Sequence, residues 1–118
     1  MRFLSMVKID SDNTCRPTEQ LMADMGNLIE QMTREGTLVE TAGLKPAAEG
    51  VQVKLRKGGR ITVTDGPYAE AKEVVGGYAI LEATSKAHAI ELTRRFLEVH
   101  GKDWDVSCEV RQLENGGC

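Results

Sequence analysis

Charged side chains of both signs are concentrated in one short stretch in the middle of the chain. Asp65, Glu70, Lys72 and Glu73 fall within nine residues that also contain a Gly66-Pro67 turn. Runs typical of β-strands lie on both sides, so the charges are expected at the end of a sheet, where loops commonly carry function. Such groups can transfer protons in a pocket, or they can form a solvated charge run. Asp65 can also cap the turn through a local hydrogen bond.

Three further residues carry polar groups on the strands that would border this stretch. Tyr78 follows two glycines, so its phenol either faces a small ligand or packs in the core with a satisfied hydroxyl. Glu109 and Arg111 share the polar face of the last strand, whereas Val106, Cys108 and Val110 alternate with them and are expected to face the helices. Arg111 on this face either binds a carboxylate or phosphate through two parallel hydrogen bonds or forms a structural ion pair with Glu109. The predicted catalytic residues are Asp65, Glu70 and Tyr78, and the predicted substrate-binding residues are Lys72, Glu109 and Arg111.

The overall composition restricts the classes of function. A chain of 118 residues is the size of one domain, which we place at residues 1–118. Its net charge of −3 offers no basic footprint for nucleic acid. No apolar run is long enough to span a bilayer or to form the core of a signal peptide, so we expect a cytoplasmic protein without a membrane partner.

Neither the histidines nor the cysteines form a cluster that would hold a metal. His88 and His100 lie twelve positions apart on one predicted helix, about 120° apart around its axis, so they cannot share an ion. We expect both at the surface and predict no cofactor. Cys15, Cys108 and Cys118 are an odd number without paired spacing, which predicts free thiols. A catalytic cysteine is disfavoured because no base stands beside any of them in the sequence.

Hydrophobic periodicity predicts two helices and six strands. Strands are expected at residues 2–9, 37–41, 51–55, 61–63, 74–83 and 106–111, and the third and fourth form a hairpin around Lys57-Gly58-Gly59-Arg60. The first helix has Pro17 in its first turn and ends at Gly36, with an apolar stripe on Leu21, Met22, Met25, Leu28, Ile29 and Met32. The second follows Ser85 and ends at Gly101, with a stripe on Ala89, Ile90, Thr93, Phe96 and Leu97.

This order predicts a ferredoxin-like α+β fold: an antiparallel sheet with two helices on one face and an inserted hairpin. The run from Val74 to Leu81 is nearly continuously apolar, which is typical of a strand buried on both faces. Since the helices can cover only one face, we expect a second copy of the chain to cover the other, which predicts a homodimer.

The segment from Thr64 to Glu73, Thr-Asp-Gly-Pro-Tyr-Ala-Glu-Ala-Lys-Glu, resembles the DGPF branch of the YCII-related proteins. Gly76-Gly77-Tyr78, Ala42-Gly43-Leu44-Lys45-Pro46 and Glu109-Val110-Arg111 extend the resemblance over almost the whole chain. It implies a dimeric α+β barrel with a polar pocket between the two sheets. It also implies an unassigned function in most members, lyase-type activity on chlorinated hydroxyquinols in a few relatives of the wider family, and an association with sigma factors for some domains of the branch.

One departure from the family pattern bears on catalysis. The wider family's active site pairs an early histidine with an aspartate, whereas the first histidine here is His88; Asp65 matches the acid, but its partner is absent. Two functions therefore stay open. One is a cofactor-free acid–base, lyase-type enzyme acting on an unidentified small organic molecule. The other is a non-catalytic dimeric domain that binds a metabolite or a protein.

Overall fold

A computed structural model describes residues 1–10, 17–66 and 73–114. In chain order the elements are β1 (Arg2–Asp10), α1 (Glu19–Glu35), β2 (Leu38–Gly43), β3 (Val51–Arg56), β4 (Arg60–Asp65), β5 (Glu73–Glu82), α2 (Lys86–His100) and β6 (Ser107–Gln112). A short 3₁₀ turn, Ala47–Glu49, precedes β3. The predicted order of strands and helices is confirmed, and the second strand runs two residues further than its sequence pattern indicated.

Four strands form the main sheet in the order β2-β5-β1-β6, and every neighbouring pair is antiparallel. Without the hairpin, this is the 4-1-3-2 order that two consecutive β-α-β units produce in a ferredoxin-like fold. Both helices pack on one face of the sheet, called the helix face below. The opposite face is called the open face. The predicted α+β class with an antiparallel sheet and two helices is therefore confirmed.

The core lies between the helices and the helix face. Phe3 and Leu81 sit side by side on β1 and β5, and Met32 from α1 packs with them; all three are fully buried. The alternation on β1 explains this placement, since Phe3 and Ser5 point toward the helices and are buried, while Leu4 and Met6 between them are only partly covered.

Helix α1 begins at Glu19, two residues after Pro17, which was expected in its first turn. Thr18 is the N-cap, and its hydroxyl accepts a hydrogen bond from the Leu21 N–H at 3.0 Å. At the other end Gly36 adopts φ +82°, the left-handed conformation that commonly closes a helix, so the predicted stop is confirmed. Met22 is 65% exposed and does not belong to the buried stripe.

Helix α2 begins after Ser85, as predicted, with the Ser85 hydroxyl accepting from the His88 N–H at 3.1 Å. Its buried stripe is shifted relative to the prediction. Leu92 is buried, whereas Ile90 is 45% exposed. Ile90 and Leu92 lie on opposite sides of the helix axis, and packing against the sheet selected the side that carries Leu92.

A β-bulge interrupts β5 at the paired glycines. Val7 pairs with Gly77 and Lys8 with Val75, which leaves Gly76 as the extra residue. A Cβ atom on Gly77 would lie 3.0 Å from the Ala42 carbonyl oxygen, so the neighbouring backbone also comes close. Paired glycines inside a strand indicate a bulge or a close approach of another backbone, and both are present here.

An ion pair joins the ends of the two helices. Arg95 donates to Glu35 through both terminal nitrogens, at 2.9 and 3.4 Å. The hydrogen bond from Arg95 is the main cause that lowers the pKa of the Glu35 carboxyl below its usual value. Because the pKa of the Glu35 carboxyl is lower in the folded than in the unfolded protein, the ion pair contributes its full stabilisation at pH values above the pKa of the unfolded state. This stabilisation is lost as the pH falls through the pKa of the folded state.

We therefore expect Arg95→Gln to lower the melting temperature at neutral pH and to have progressively less effect as the pH falls through the lowered pKa of Glu35. Thermal unfolding followed by circular dichroism across this pH range measures the difference. Arg94→Gln is the matched control, because Arg94 is more exposed and meets Glu91 only at 3.4 Å. Equal melting temperatures for Arg95→Gln and the unchanged protein at every pH would contradict the assignment.

Neither helix in the part of the chain that the structure describes is long and apolar enough to cross a membrane.

Candidate functional site

A cavity of about 360 Å³ lies between the helix face and the two helices. Its walls are mostly apolar, with Val7, Met25, Ile29 and Phe96 contributing side chains from three elements. The bulge at Gly76 and Gly77 forms part of the wall. The volume falls within the range of about 300–1,000 Å³ that is usual for sites of small molecules.

His100 is one of the few polar groups on this cavity. It is the last residue of α2, and its Nδ1 lies 2.9 Å from the Phe96 carbonyl oxygen. Because a carbonyl oxygen can only accept, Nδ1 carries the proton and Nε2 remains available to accept from a ligand when the ring is neutral. The ring edge also packs against Trp104, with centroids 5.6 Å apart. The imidazole is therefore held in one orientation. The expectation that His100 is a surface residue was wrong, since it is half-buried and lines the cavity.

Cys108 lies on the same cavity wall, on β6. It faces the helices, as its alternation with Val110 predicted, and it is a free thiol. Burial raises the pKa of the Cys108 thiol above its usual value, and a hydrogen bond with Ser5 opposes the rise in part. A thiol with a raised pKa is mostly protonated at neutral pH and is a poor nucleophile. Cys108 is therefore better suited to contact a ligand than to attack it.

The predicted residue Tyr78 takes part in a polar contact that links two strands. Its hydroxyl donates to Glu40 Oε2 on β2 at 2.9 Å. The bond, and then the negative charge of Glu40, raise the pKa of the Tyr78 phenol above its usual value. The residue also borders the helix-face cavity, although its side chain lies on the open face beside Met6. The Tyr78 hydroxyl therefore makes its hydrogen bond to an exposed carboxylate and not to a group inside the core.

Glu109 and Arg111 lie next to Lys8 across the β1–β6 pairing. The Lys8 ammonium is 2.9 Å from Glu109 Oε1, whereas Arg111 Nε is 3.9 Å from Glu109 Oε2. The hydrogen bond with Lys8 lowers the pKa of Glu109, and the same contact raises that of Lys8. Lys8 is thus the closer partner of Glu109. Arg111 keeps 73% of its side chain exposed and has donors free for another acceptor.

Asp65 ends β4 and is exposed. It pairs in register with Val51 at the base of the hairpin. Glu70 and Lys72, which were predicted as catalytic and substrate-binding residues, lie outside the described residues. The structure therefore places Tyr78, Glu109 and Arg111 on the main sheet and Asp65 on the hairpin, and their shared role stays a prediction.

The helix-face cavity was not predicted from the sequence, although two of its polar residues carry a signal there. His100 stands four positions after Phe96, which puts it on the same side of α2 as a predicted core residue. Cys108 was already assigned to the helix face by alternation. The sequence does not reveal the space between the helices and the main sheet, because this space depends on how the two helices pack on the sheet. Within the described ranges, no group of three or more histidine, cysteine or acidic side chains is arranged to hold a metal ion.

Comparison with known proteins assigns the chain to a family. The model of the YCII-related domain matches residues 1–100, which cover both helices and five of the six strands. The chain belongs to the YCII-related domain family. No curated protein matches the sequence. The family assignment agrees with the ferredoxin-like topology of this YCII-related domain but specifies neither a ligand nor a reaction.

Proposed function

We propose that this YCII-related domain binds a small, mostly apolar organic molecule in the cavity between the helix face and the helices. The observation that carries the proposal is the cavity itself, which is large enough for a small ligand and has few polar groups. A site of this composition takes its affinity from apolar contact and its orientation from one or two hydrogen bonds. Nε2 of His100 as acceptor and the Cys108 thiol as weak donor are suited to orient a hydroxyl or carbonyl group.

A cavity-filling substitution tests the proposal. The probe is a panel of small aromatic and alicyclic alcohols, phenols and ketones, screened by thermal shift. A compound present at 100 times its dissociation constant stabilises the folded state by about 2.7 kcal/mol. We expect Cys108→Phe to abolish the shift, because the ring occupies the space of the ligand. Ser107→Phe adds the same ring at an exposed neighbouring position and should keep the shift.

Three results would count against binding in this cavity. They are the absence of a hit in the panel, a hit that survives Cys108→Phe, and a hit that Ser107→Phe abolishes equally. Isothermal calorimetry on any hit then provides the dissociation constant for each variant, so that loss of binding is separated from a change in stability.

A second candidate function is cofactor-free acid–base catalysis of the lyase type. Its support is the fixed His100 imidazole, whose free Nε2 can accept a proton from a bound substrate. In this case the ligand that stabilises the protein should also be converted, and His100→Gln should abolish conversion while it retains the thermal shift. Conversion that persists in His100→Gln would move the search to the polar groups of the open face, Tyr78, Glu109 and Arg111.

We also propose that the protein is a homodimer joined through the open face and that it belongs to the DGPF branch of the family. The support for the dimer is that Leu4, Met6, Tyr78 and Ile80 lie on the open face, where no helix or strand of the described part of the chain covers them. The support for the branch is the Asp65-Gly66-Pro67 sequence. A polar pocket between the open faces of two copies would place Arg111 near the second copy. An association with sigma factors is proposed only as a consequence of membership in the DGPF branch.

A further inference from the structure

Two buried hydroxyl groups meet at the wall of the helix-face cavity. Ser5 on β1 is 3% exposed, and Thr93 on α2 is 5% exposed. The Thr93 hydroxyl donates to Ser5 Oγ at 3.4 Å, and Ser5 itself lines the cavity. Taking a hydroxyl group out of water is unfavourable unless it is hydrogen-bonded, so the proton of Ser5 needs an acceptor as well.

The only neighbour that takes this proton in the described part of the chain is a weak acceptor. Cys108 pairs with Val7 across β1 and β6, which places it diagonally from Ser5 on the helix face. The hydrogen bond between Ser5 and Cys108 lowers the thiol pKa against the larger effect of burial, as a bond donated to sulfur does. A thiol sulfur accepts hydrogen bonds weakly, so an oxygen atom of a ligand in the cavity would be the better partner.

The cavity offers no charge to a ligand at this place. None of its lining residues among those that the structure describes is a lysine, an arginine or a carboxylate. A charged group inside it would be buried without a counter-charge, which is costly. Ser5 can turn its proton toward the cavity while its oxygen keeps the bond from Thr93. On the helix side of the cavity, Nε2 of His100 remains an acceptor.

We infer that Ser5 is a specificity-determining residue of the cavity and that the ligand is an uncharged molecule with two polar groups. A carbonyl oxygen of the ligand accepts from the Ser5 hydroxyl, and a hydroxyl group of the ligand donates to His100. Thr93 holds the Ser5 oxygen so that the proton faces the cavity. The inference rests on the proposed binding function and adds the donor residue and the class of ligand, neutral hydroxy-carbonyl compounds.

Calorimetry with three ligands of similar size tests this assignment. The probes are para-hydroxyacetophenone, para-ethylphenol, which lacks the carbonyl group, and para-hydroxybenzoate, which carries a negative charge. We expect Ser5→Ala to weaken the binding of para-hydroxyacetophenone at least about fivefold and to change that of para-ethylphenol by no more than about twofold. A purely structural role of Ser5 would affect both ligands equally. The unchanged protein should not bind para-hydroxybenzoate.

Thr41→Val is the matched control for Ser5→Ala. Thr41 also lines the cavity, but its hydroxyl donates to the Tyr78 carbonyl oxygen at 2.8 Å. Its removal should leave the ratio of the two dissociation constants unchanged. If Ser5→Ala fails to fold because Thr93 loses its partner, Ser5→Ala combined with Thr93→Val removes both hydroxyl groups and should show the same selective loss.

The inference and the proposed function fail in different ways. Equal effects of Ser5→Ala on both neutral ligands, binding of para-hydroxybenzoate, or no binding of para-hydroxyacetophenone would overturn the inference. Another compound of the panel that binds and is displaced by Cys108→Phe would then leave the proposed function in place. If no compound of the panel binds, both are overturned.

Discussion

Leu81→Ala lowers the free energy of unfolding by about 2–5 kcal/mol, because it removes a large side chain from the centre of a close-packed core. Leu81 is fully buried on β5 and pairs with Phe3 on β1 and Leu38 on β2. Both neighbours are held in the main sheet by pairing with β5 and cannot collapse into the space. For a domain whose total stability is about 5–15 kcal/mol, the loss is a large fraction of the whole. Chemical denaturation followed by circular dichroism measures it.

Leu44→Ala is the matched control for this substitution. It removes the same atoms from a side chain that is already 51% exposed, and we expect a change of less than about 0.5 kcal/mol. A similar loss of stability in both variants would show that the core is not centred on Leu81.

Gly66→Ala should destabilise the base of the hairpin formed by β3 and β4 by about 1–3 kcal/mol, because backbone atoms occupy the position of the added methyl group. The Gly66 N–H donates to the Gly50 carbonyl oxygen at 2.9 Å. A Cβ on Gly66 would overlap the Ala47 carbonyl oxygen and come within 3.3 Å of the Gly50 carbonyl oxygen. The 3₁₀ turn and the end of β4 would have to separate, which breaks the hydrogen bond between them.

The effect of Gly66→Ala should be local. Hydrogen exchange monitored by mass spectrometry is expected to show lost protection in β3 and β4, while β1 and β5 keep theirs. Gly43→Ala is the control, since a Cβ there meets no atom within 4 Å and its φ is not positive. That variant should be as stable as the unchanged protein or slightly more stable. Unaltered hydrogen exchange in β3 and β4 of Gly66→Ala would contradict the close approach of Gly66 to the carbonyl oxygens of Ala47 and Gly50.

The two candidate sites of this YCII-related domain differ in how local their signals are. The charged stretch around Asp65 is conspicuous in the sequence because its members are neighbours along the chain. The helix-face cavity is assembled from β1, β5, β6 and both helices, and its polar residues His100 and Cys108 are unremarkable in the sequence. For this reason sequence reasoning found the first site and did not predict the second.

The sequence alone determined the local elements, since periodicity, caps and glycines act over a few residues. The alternation of Phe3 and Ser5 with Leu4 and Met6 assigned the two faces of β1 correctly. Ser85 and Gly36 marked helix ends because their preferences concern hydrogen bonds and backbone angles within one turn. The order of elements followed from these local assignments and was sufficient to predict the ferredoxin-like topology.

Only the tertiary structure decided which of several apolar side chains are buried and where space remains between the layers. Met22 and Ile90 have the same apolar character as Leu28 and Leu92, yet they face away from the sheet. A helix can rotate about its axis to bury slightly different stripes, and the choice depends on contacts with strands that are distant in sequence. The cavity beside His100 and the exposed apolar face of the β3–β4 hairpin arise in the same way. Both depend on how whole helices and strands pack against one another and not on any single segment.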